Sequence, residues 1–479
     1  MNGTVTLLIL WFLWMIPSPP VAASDEIRLE LTVFPPEAEV TLTPPEDHGG
    51  DFEVAAPRRA TSAAGAPQRI YSSLPPGTRL RITAPGYQER VVHLPGADGA
   101  GLADSRTEAA GFVDAASSSA GSESADPPRA SDREQLPRVI SIEERLDPAQ
   151  GPLRLAAELP TGGGPKSVTF VPDGRIVVPL LWESGADLFR VGRDRWGQVR
   201  VERTGRIEPP EESAGEAGFV EPLSIAAHRE LWLSQMNGDR LHRFESSGMT
   251  YQGSISASGR WPKVMAVVPP GGGQRTLLVT SNWLSETVVF HDRATGDLIH
   301  EVPLAGQPRG IAVIEAPREV WVTEFSTGDV VVIDPDSGAI LERLPLGPGA
   351  ARHIVAHPRE RILYYSDMYH GTVSIIDADA REVLRTRRFG SNINTIAIDP
   401  RGRYLFISER GRNNPESYHL PGPAFGRIFV VDADSDSLET VQTVWGRHQP
   451  TGLAVSPDGT LLAATDFLDN NLSVFTISP

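Results

Sequence analysis

From residue 152 onward, short apolar runs alternate with Pro/Asp/Gly turns in one recurring order. The last copy reads Pro450-Thr-Gly-Leu-Ala-Val-Ser-Pro-Asp-Gly459, then Thr460-Leu-Leu-Ala-Ala-Thr-Asp466. Earlier copies begin at Pro165, Pro222, Pro262, Pro308, Arg352 and Asn394. Each opens with a short run such as Gly310-Ile-Ala-Val313 and turns into a second run. That second run ends in Ser or Thr plus an acid or amide: Ser234-Gln235, Ser281-Asn282, Thr323-Glu324, Ser366-Asp367, Ser408-Glu409 and Thr465-Asp466. A third run ends near Asp292, Asp334, Asp377 or Asp432, and a fourth leads into the next copy. Runs of this length and pattern read as strands. Seven copies at a spacing of about 42 residues predict one four-stranded blade each, hence an all-β, seven-bladed β-propeller over 152–479. Blade one departs from the rule, with Ile176-Val-Val-Pro179 where the Ser/Thr-acid ending is expected.

The seventh copy stops after its third run, Leu472-Ser-Val-Phe-Thr-Ile477. Leu153-Arg-Leu-Ala-Ala-Glu-Leu159 carries a matching pattern just before blade one. Pairing of the two is expected, because it removes the exposed edges of the ring. Trp232, Trp321, Tyr364 and Phe406 share one equivalent position, two before the Ser or Thr, which predicts packing between blades.

The chain before the repeats reads differently. Val5 to Ile16 is apolar, Pro17-Ser-Pro-Pro20 breaks the run, and Val21-Ala22-Ala23 fits a small-residue cleavage site. Residues 1–23 are therefore expected to be a signal peptide, with Ser24 as the mature N-terminus, although the segment lacks Lys and Arg. Residues 26–95 hold several β-type runs, among them Ile27-Arg-Leu-Glu-Leu-Thr-Val33. Residues 96–150 are rich in Gly, Ala, Ser, Asp and Pro and read as a flexible linker.

Two resemblances sharpen this picture. Pro35-Pro-Glu-Ala-Glu-Val-Thr-Leu42, Pro76-Gly77 before Thr78-Arg-Leu-Arg-Ile82, and Gly86-Tyr87 resemble the PEGA domain. That resemblance implies a small extracytoplasmic β-sandwich over 26–95, with Glu37 standing where Gly is usual. Tyr364-Tyr-Ser-Asp367 and Val330-Val-Val-Ile-Asp334 resemble the repeat of the YVTN family of seven-bladed propellers, which implies the fold and no particular activity.

Composition restricts chemistry. A net charge of −17 disfavours nucleic acid and anionic lipid as partners. With no cysteine, disulfides, thiolate metal sites and a cysteine nucleophile are excluded. No cofactor motif is present, and none is expected.

In a propeller the loop into the innermost strand and the loop after the second strand share one face, the mouth of the channel. The residue after the entry position reads Lys166, Leu223, Lys263, Arg309, Arg352, Asn394 and Thr451 around the ring. Four cations at equivalent positions point to a site for an anionic group. Glu324, Asp367, Glu409 and Asp466 lie on the same face and could instead consume those cations between blades. His353 adjoins Arg352 and is the best-placed histidine; His228 and His357 fall in turns. Two insertions, 208–218 and 411–423, are expected on this face, and Arg412, Asn413, Asn414, Tyr418 and His419 are candidates within the second.

These features predict an extracytoplasmic binding or scaffold protein, periplasmic or secreted, that presents its mouth to a protein, glycan or anionic small molecule. The alternative is a metal-dependent lactonase or lyase. In that case Asn282, Glu324, Asp367, Glu409 and Asp466 would supply oxygen ligands from separate blades to a hard cation such as Ca²⁺. Asp432-Ala-Asp-Ser-Asp-Ser437 lacks the Gly and distal Glu of a calcium loop and reads as a solvated turn.

Overall fold

The computed structural model describes residues 150–478 except 211–216, 272–274 and 434–436. Before residue 150 it describes the segments 5–7, 27–34, 38–43, 57–61, 67–75, 78–83, 90–94 and 138–145. The turn expected over Asp432 to Ser437, most of the 208–218 insertion and the Val21 to Ala23 cleavage site lie partly or wholly outside these residues. The chain divides into two compact units, Met1–Gln150 and Gly151–Pro479.

The second unit is a ring of seven four-stranded antiparallel sheets. Six blades run in chain order from the innermost strand outward. The seventh combines Pro450–Val455, Leu461–Asp466 and Asn471–Ile477 with Leu153–Pro160 from the start of the unit. Leu472 faces Leu159 and Ile477 faces Leu153, so the expected closure is present in the expected register. Each innermost strand contacts the next, and the first, Thr169–Phe170, contacts both Phe219–Ile225 and Pro450–Val455. That contact completes the ring around the axis.

Blades stack through apolar layers. Trp232, Trp321, Tyr364 and Phe406 are all buried at the expected inter-blade position. Their polar ends are satisfied. Trp232 and Trp321 donate to Glu230 and Glu319 two residues earlier, at 2.9 and 3.0 Å, and the Tyr364 hydroxyl donates to the Ala433 carbonyl at 3.0 Å. The glycine in the opening phrase has a steric reason. A Cβ on Gly310 would stand 2.8 Å from the His353 Cα, and one on Gly452 would stand 2.6 Å from the Ser167 Cα. Adjacent innermost strands approach too closely there for any side chain.

The pairing corrects the register of blade two. The residues that face the end of each second strand are Phe219, Pro262, Pro308, Ala351, Ile393 and Pro450, while Pro165 bridges Leu180 in blade one. Pro222 faces Leu233, in mid-strand. The entry residue of blade two is therefore Phe219, and its ring residue is Val220 rather than Leu223. Pro222 misled because a proline marks most of the other entries.

Among its described residues the first unit holds two sheets. Glu39–Thr43, Arg79–Thr83 and Arg90–His93 form one. Ile27–Phe34, Arg58–Thr61 and Pro67–Leu74 belong to the other, with Leu29, Leu31, Tyr71 and Leu74 buried. Arg138–Arg145, expected in the linker, pairs in parallel with Ile27–Phe34. Its sequence, Arg-Val-Ile-Ser-Ile-Glu-Glu-Arg, has a β-type pattern that the average composition of 96–150 concealed. Val5–Leu7, inside the expected leader, pairs with 140–142. Among the described residues no helix is long and apolar enough to cross a membrane.

Candidate functional site

A register shift occurs just inside the mouth in the innermost strands of blades two to seven, between Phe219 and Glu221, Pro262 and Met265, Pro308 and Ile311, Ala351 and His353, Ile393 and Ile396, and Pro450 and Gly452. A bulge frees one or two residues from the ladder and re-aims a side chain. The ring residue sits in this bulge. Its Ser/Thr neighbour on the second strand fills the gap in the hydrogen bonding. The Ser366 hydroxyl accepts from the His353 N–H at 3.1 Å and donates to the Asn394 carbonyl of the next blade at 2.9 Å. Ser234 and Ser281 donate likewise to the carbonyls of Lys263 and Arg309, at 2.9 and 3.1 Å. The serines of the repeat thus staple the backbones of Lys263, Arg309, Asn394 and Thr451 to the preceding blade, while Thr323 and Thr465 accept from Gly310 and Gly452 of their own blades.

The acid or amide after it has a different duty. Glu324 accepts from the Ala305 N–H at 2.8 Å, Glu409 from Ser391 at 2.9 Å and Asp466 from Arg447 at 2.9 Å. Asp367 accepts from Ala350 at 3.3 Å, and Asn282 donates to the Ala257 carbonyl at 3.0 Å. Each fastens the loop that enters its own blade. They are matched locally: Glu324 by Arg343 and Glu409 by Arg427 at 2.9 Å, while Asp367 is held by the His370 ring at 3.0 Å. Asp466 is held by Asn471 at 3.0 Å. These five residues are spent on loops of separate blades and do not form a converging ligand set. Among the described residues no group of three His, Cys, Asp or Glu is placed to hold a metal. Blade one, which lacks the acid, substitutes the buried Asp187 of its third strand, whose carboxylate accepts from Gly162 at 2.7 Å and pairs with Arg206 at 3.0 Å.

The ring cations are not consumed by those acids. Lys166, Lys263, Arg309 and Arg352 interact with one another and with a single carboxylate, Glu221, which pairs with Arg309 at 2.7 Å. Arg410 joins them as a fifth cation. Burial, followed by Arg410, Arg352 and Arg309, pushes the Lys166 ammonium down to about 7. Burial, followed by Arg309 and Lys166, pushes Lys263 well below its usual range. Burial and Arg309 also push Arg352 well down, and burial brings Arg410 to about 10. His353, pushed by burial and Arg352 to about 3, is neutral. Burial works against ionisation of Glu221, yet Arg309, Ser167 and Arg352 together hold its carboxyl below the usual range.

Several polar atoms here are buried without a protein partner: Nη1 of Arg309 and Arg352, Nδ1 of His353, Nε of Arg410 and both amide atoms of Asn394. Most buried polar groups in proteins are paired, so a cluster of exceptions calls for an explanation. A ligand group offering acceptor oxygens to the cations and a hydroxyl to Asn394 would satisfy them.

A collar of large side chains surrounds this cluster, and sequence reasoning missed it. In all seven blades the residue just past the second strand donates its N–H to the carbonyl of the residue before the entry position. Those residues are Leu181, Met236, Trp283, Phe325, Met368, Arg410 and Phe467. Lys166 Nζ lies 4.7 Å from the Phe467 ring centre, and Lys263 Nζ lies 5.3 Å from that of Trp261. The signal was present one residue beyond each Ser/Thr-acid pair. Glu221 was missed because the register of blade two was misread.

The loop 411–423 brings two of its candidates to the collar. The Tyr418 ring lies 5.9 Å from the Arg410 guanidinium, and the Tyr418 carbonyl accepts from Gln449 at 2.7 Å. His419 stacks on Tyr418 at 3.9 Å and reaches Trp182 and Phe467, both at 6.4 Å. Asn414 bonds within the loop to the Pro421 carbonyl at 2.9 Å. Arg412 and Asn413 are exposed on it. His357 is committed to the Gly402 carbonyl at 3.2 Å, and His228 is exposed.

Comparison with known proteins agrees with this architecture. Residues 330–479 match the family model described as "Lactonase, 7-bladed beta-propeller". A chain of hydrazine synthase from Kuenenia stuttgartiensis superposes with a TM-score of 0.52 at 17% identity, covering 66% of this chain and 97% of that one, a likeness of fold alone. Antigen Lp49 of Leptospira interrogans (serogroup Icterohaemorrhagiae, serovar copenhageni) is 34% identical over 331 residues, 67% of this chain and 69% of the antigen. With that extent of identity laid over a closed seven-bladed ring, the chain belongs to the protein family of antigen Lp49.

Proposed function

We propose that this is an extracytoplasmic binding protein whose propeller mouth receives a small anionic ligand, with Tyr418 and His419 of the 411–423 loop over its rim. The observation that carries this reading is the cluster of buried Arg309, Arg352 and Arg410 and half-buried Lys166 and Lys263 around the single half-buried carboxylate of Glu221. Such a cluster is costly to bury unless something neutralises it. Focused positive potential in a partly desolvated funnel attracts anions even when the net charge is −17. Asn394 and His353 supply neutral donors and acceptors beside the cations. Placement outside the cytoplasm rests on the leader-like segment 1–23, and the antigen name of the relative agrees with surface exposure. The YVTN-type repeat and the PEGA-like unit over 26–95 belong to the same reading, with the PEGA-like unit as the part that meets an envelope partner.

Thermal-shift and calorimetric titration with a panel of mono-, di- and tricarboxylates and phosphates tests this. At least one anion should stabilise the wild type, and Arg352→Gln should weaken it about tenfold or more, the loss expected when a charged donor to an anion is removed. A wild-type chain that no anion stabilises would sink the proposal.

A further inference from the structure

The chain holds 44 Lys and Arg residues, and only two of them are lysines, Lys166 and Lys263. Both occupy ring positions of the mouth. Everywhere else arginine serves, including at the neighbouring ring positions Arg309 and Arg352. If the mouth needed positive charge alone, arginine would serve there too. A lysine differs in one decisive respect: it can lose its proton near neutral pH and become a nucleophilic amine, which a guanidinium cannot do.

The surroundings favour the neutral amine. No ion pair among the described residues includes either lysine. Lys166 Nζ faces the Phe467 ring, and Lys263 Nζ lies 2.6 Å from the Met236 sulfur and over Trp261, so neither makes a direct carboxylate contact, and Glu221 acts on both only through space. Both are flanked by guanidinium groups that stay charged, and desolvation beside other cations activates an amine. The same guanidinium groups offer unpartnered donors, Nη1 of Arg309 and of Arg352.

We infer that Lys166 and Lys263 make the mouth a reversible covalent site for 2-oxo acids, with Arg309 and Arg352 binding the carboxylate and a lysine amine attacking the adjacent carbonyl carbon. The inference rests on the anion site proposed above. It fixes the ligand class because the amines and guanidinium groups stand at equivalent positions of one ring, so the electrophilic carbon must lie next to the charged group. In the step, the amine lone pair forms the C–N bond and the carbonyl π pair moves to oxygen. That oxygen takes the proton released by nitrogen and gives a carbinolamine. Loss of its hydroxyl with one further proton, as water, leaves the imine. No oxidant or reductant is required.

The test uses the full chain, 2-oxoglutarate and sodium cyanoborohydride, which reduces an imine to a stable secondary amine. Intact mass and peptide mapping then locate the adduct. The expected result is one adduct per chain on Lys166 or Lys263, formed faster at pH 8 than at pH 6. The variant carrying Lys166→Arg and Lys263→Arg should lose it about tenfold or more, because arginine cannot form an imine. The wild-type map needs no variant to fold, and a melting curve shows whether the double variant does. Labelling confined to the N-terminal amine overturns the inference. Calorimetry with 2-hydroxyglutarate, which keeps the charges and lacks the carbonyl, separates the two readings. If 2-hydroxyglutarate binds and no lysine adduct forms, the covalent inference fails while the anion site stands. If neither compound binds or labels, both fail.

Discussion

The loop-fastening acids and the axial cations lie on one face of the same repeats, yet they obey opposite rules. Around the outer mouth, Glu324, Asp367, Glu409 and Asp466 each accept a backbone N–H, and Arg343, His370, Arg427 or Asn471 holds each one locally. At the axis, five cations share one carboxylate, and the polar atoms of Arg352, His353 and Asn394 include several without a partner. A buried ion pair in good geometry holds a structure together, whereas a buried excess of one sign weakens it. The outer ring therefore reads as architecture. On the proposed function, the inner cluster is a stability cost retained for a ligand, since function tends to sit where local consistency is broken.

The comparison can be broken most severely at the closure. Removing Leu153–Pro160 takes away the partner of Asn471–Ile477 and bares the edge of that strand. Cooperative thermal unfolding should be lost in calorimetry; a sharp, unshifted transition would mean that the seam does not hold the ring.

Next comes the outer ring. Glu409→Ala leaves Arg427, a third exposed, and the Ser391 N–H without their acceptor; orphaned donors of this kind cost about 1–3 kcal/mol, less than the loss from a fully buried pair. Chemical denaturation should report a loss of that order. A loss under about 1 kcal/mol, the level of exposed pairs, would place Glu409 in the same class as surface charges.

The inner cluster should respond with the opposite sign. Among the described residues Arg352 forms no ion pair, and its pKa is depressed by burial and by Arg309. Replacing it with Met should leave the ligand-free protein as stable or more stable, by up to about 1–4 kcal/mol, the range seen when buried charges give way to apolar groups. The same change should abolish anion binding. Destabilisation by Arg352→Met would erase the contrast with Glu409→Ala.

The smallest effect is a pH dependence. The pKa of Lys166 is lowered in the fold to about 7, so between that value and the ordinary lysine range the unfolded chain binds more protons than the native one. Stability of the ligand-free protein must therefore rise as pH increases above 7 through that interval, and be lowest below it. Lys166→Met should flatten this slope in pH-dependent melting curves. Equal slopes in the two proteins would show that Lys166 keeps its proton.

The repeat phrase, the Ser/Thr-acid ending and the seam strand were legible in sequence because a blade reuses its hydrogen bonds in register, and a residue needed seven times leaves a periodic trace. The face that carries the candidate site was legible for the same reason: Lys166, Lys263, Arg309, Arg352, His353 and Asn394 follow entry positions that repeat. Tyr418 and His419 were legible as an insertion. What pairs with what was not legible. The acids and cations sit a few residues apart in every copy, and nothing in one dimension says that the acids turn to the loops while the bulge turns the cations to the axis. Glu221 emerged only from strand register and closure, which bring residues far apart in sequence to one centre, and Arg410, although one residue past Ser408-Glu409, gave no sign in sequence that it would join the cations. Strand 138–145 was hidden by the composition around it. Periodicity determined the scaffold, since local patterning is read from neighbours in the chain. The charge balance of the mouth was decided by the tertiary structure, because burial and Coulomb energy depend on distances that exist only after the ring has closed.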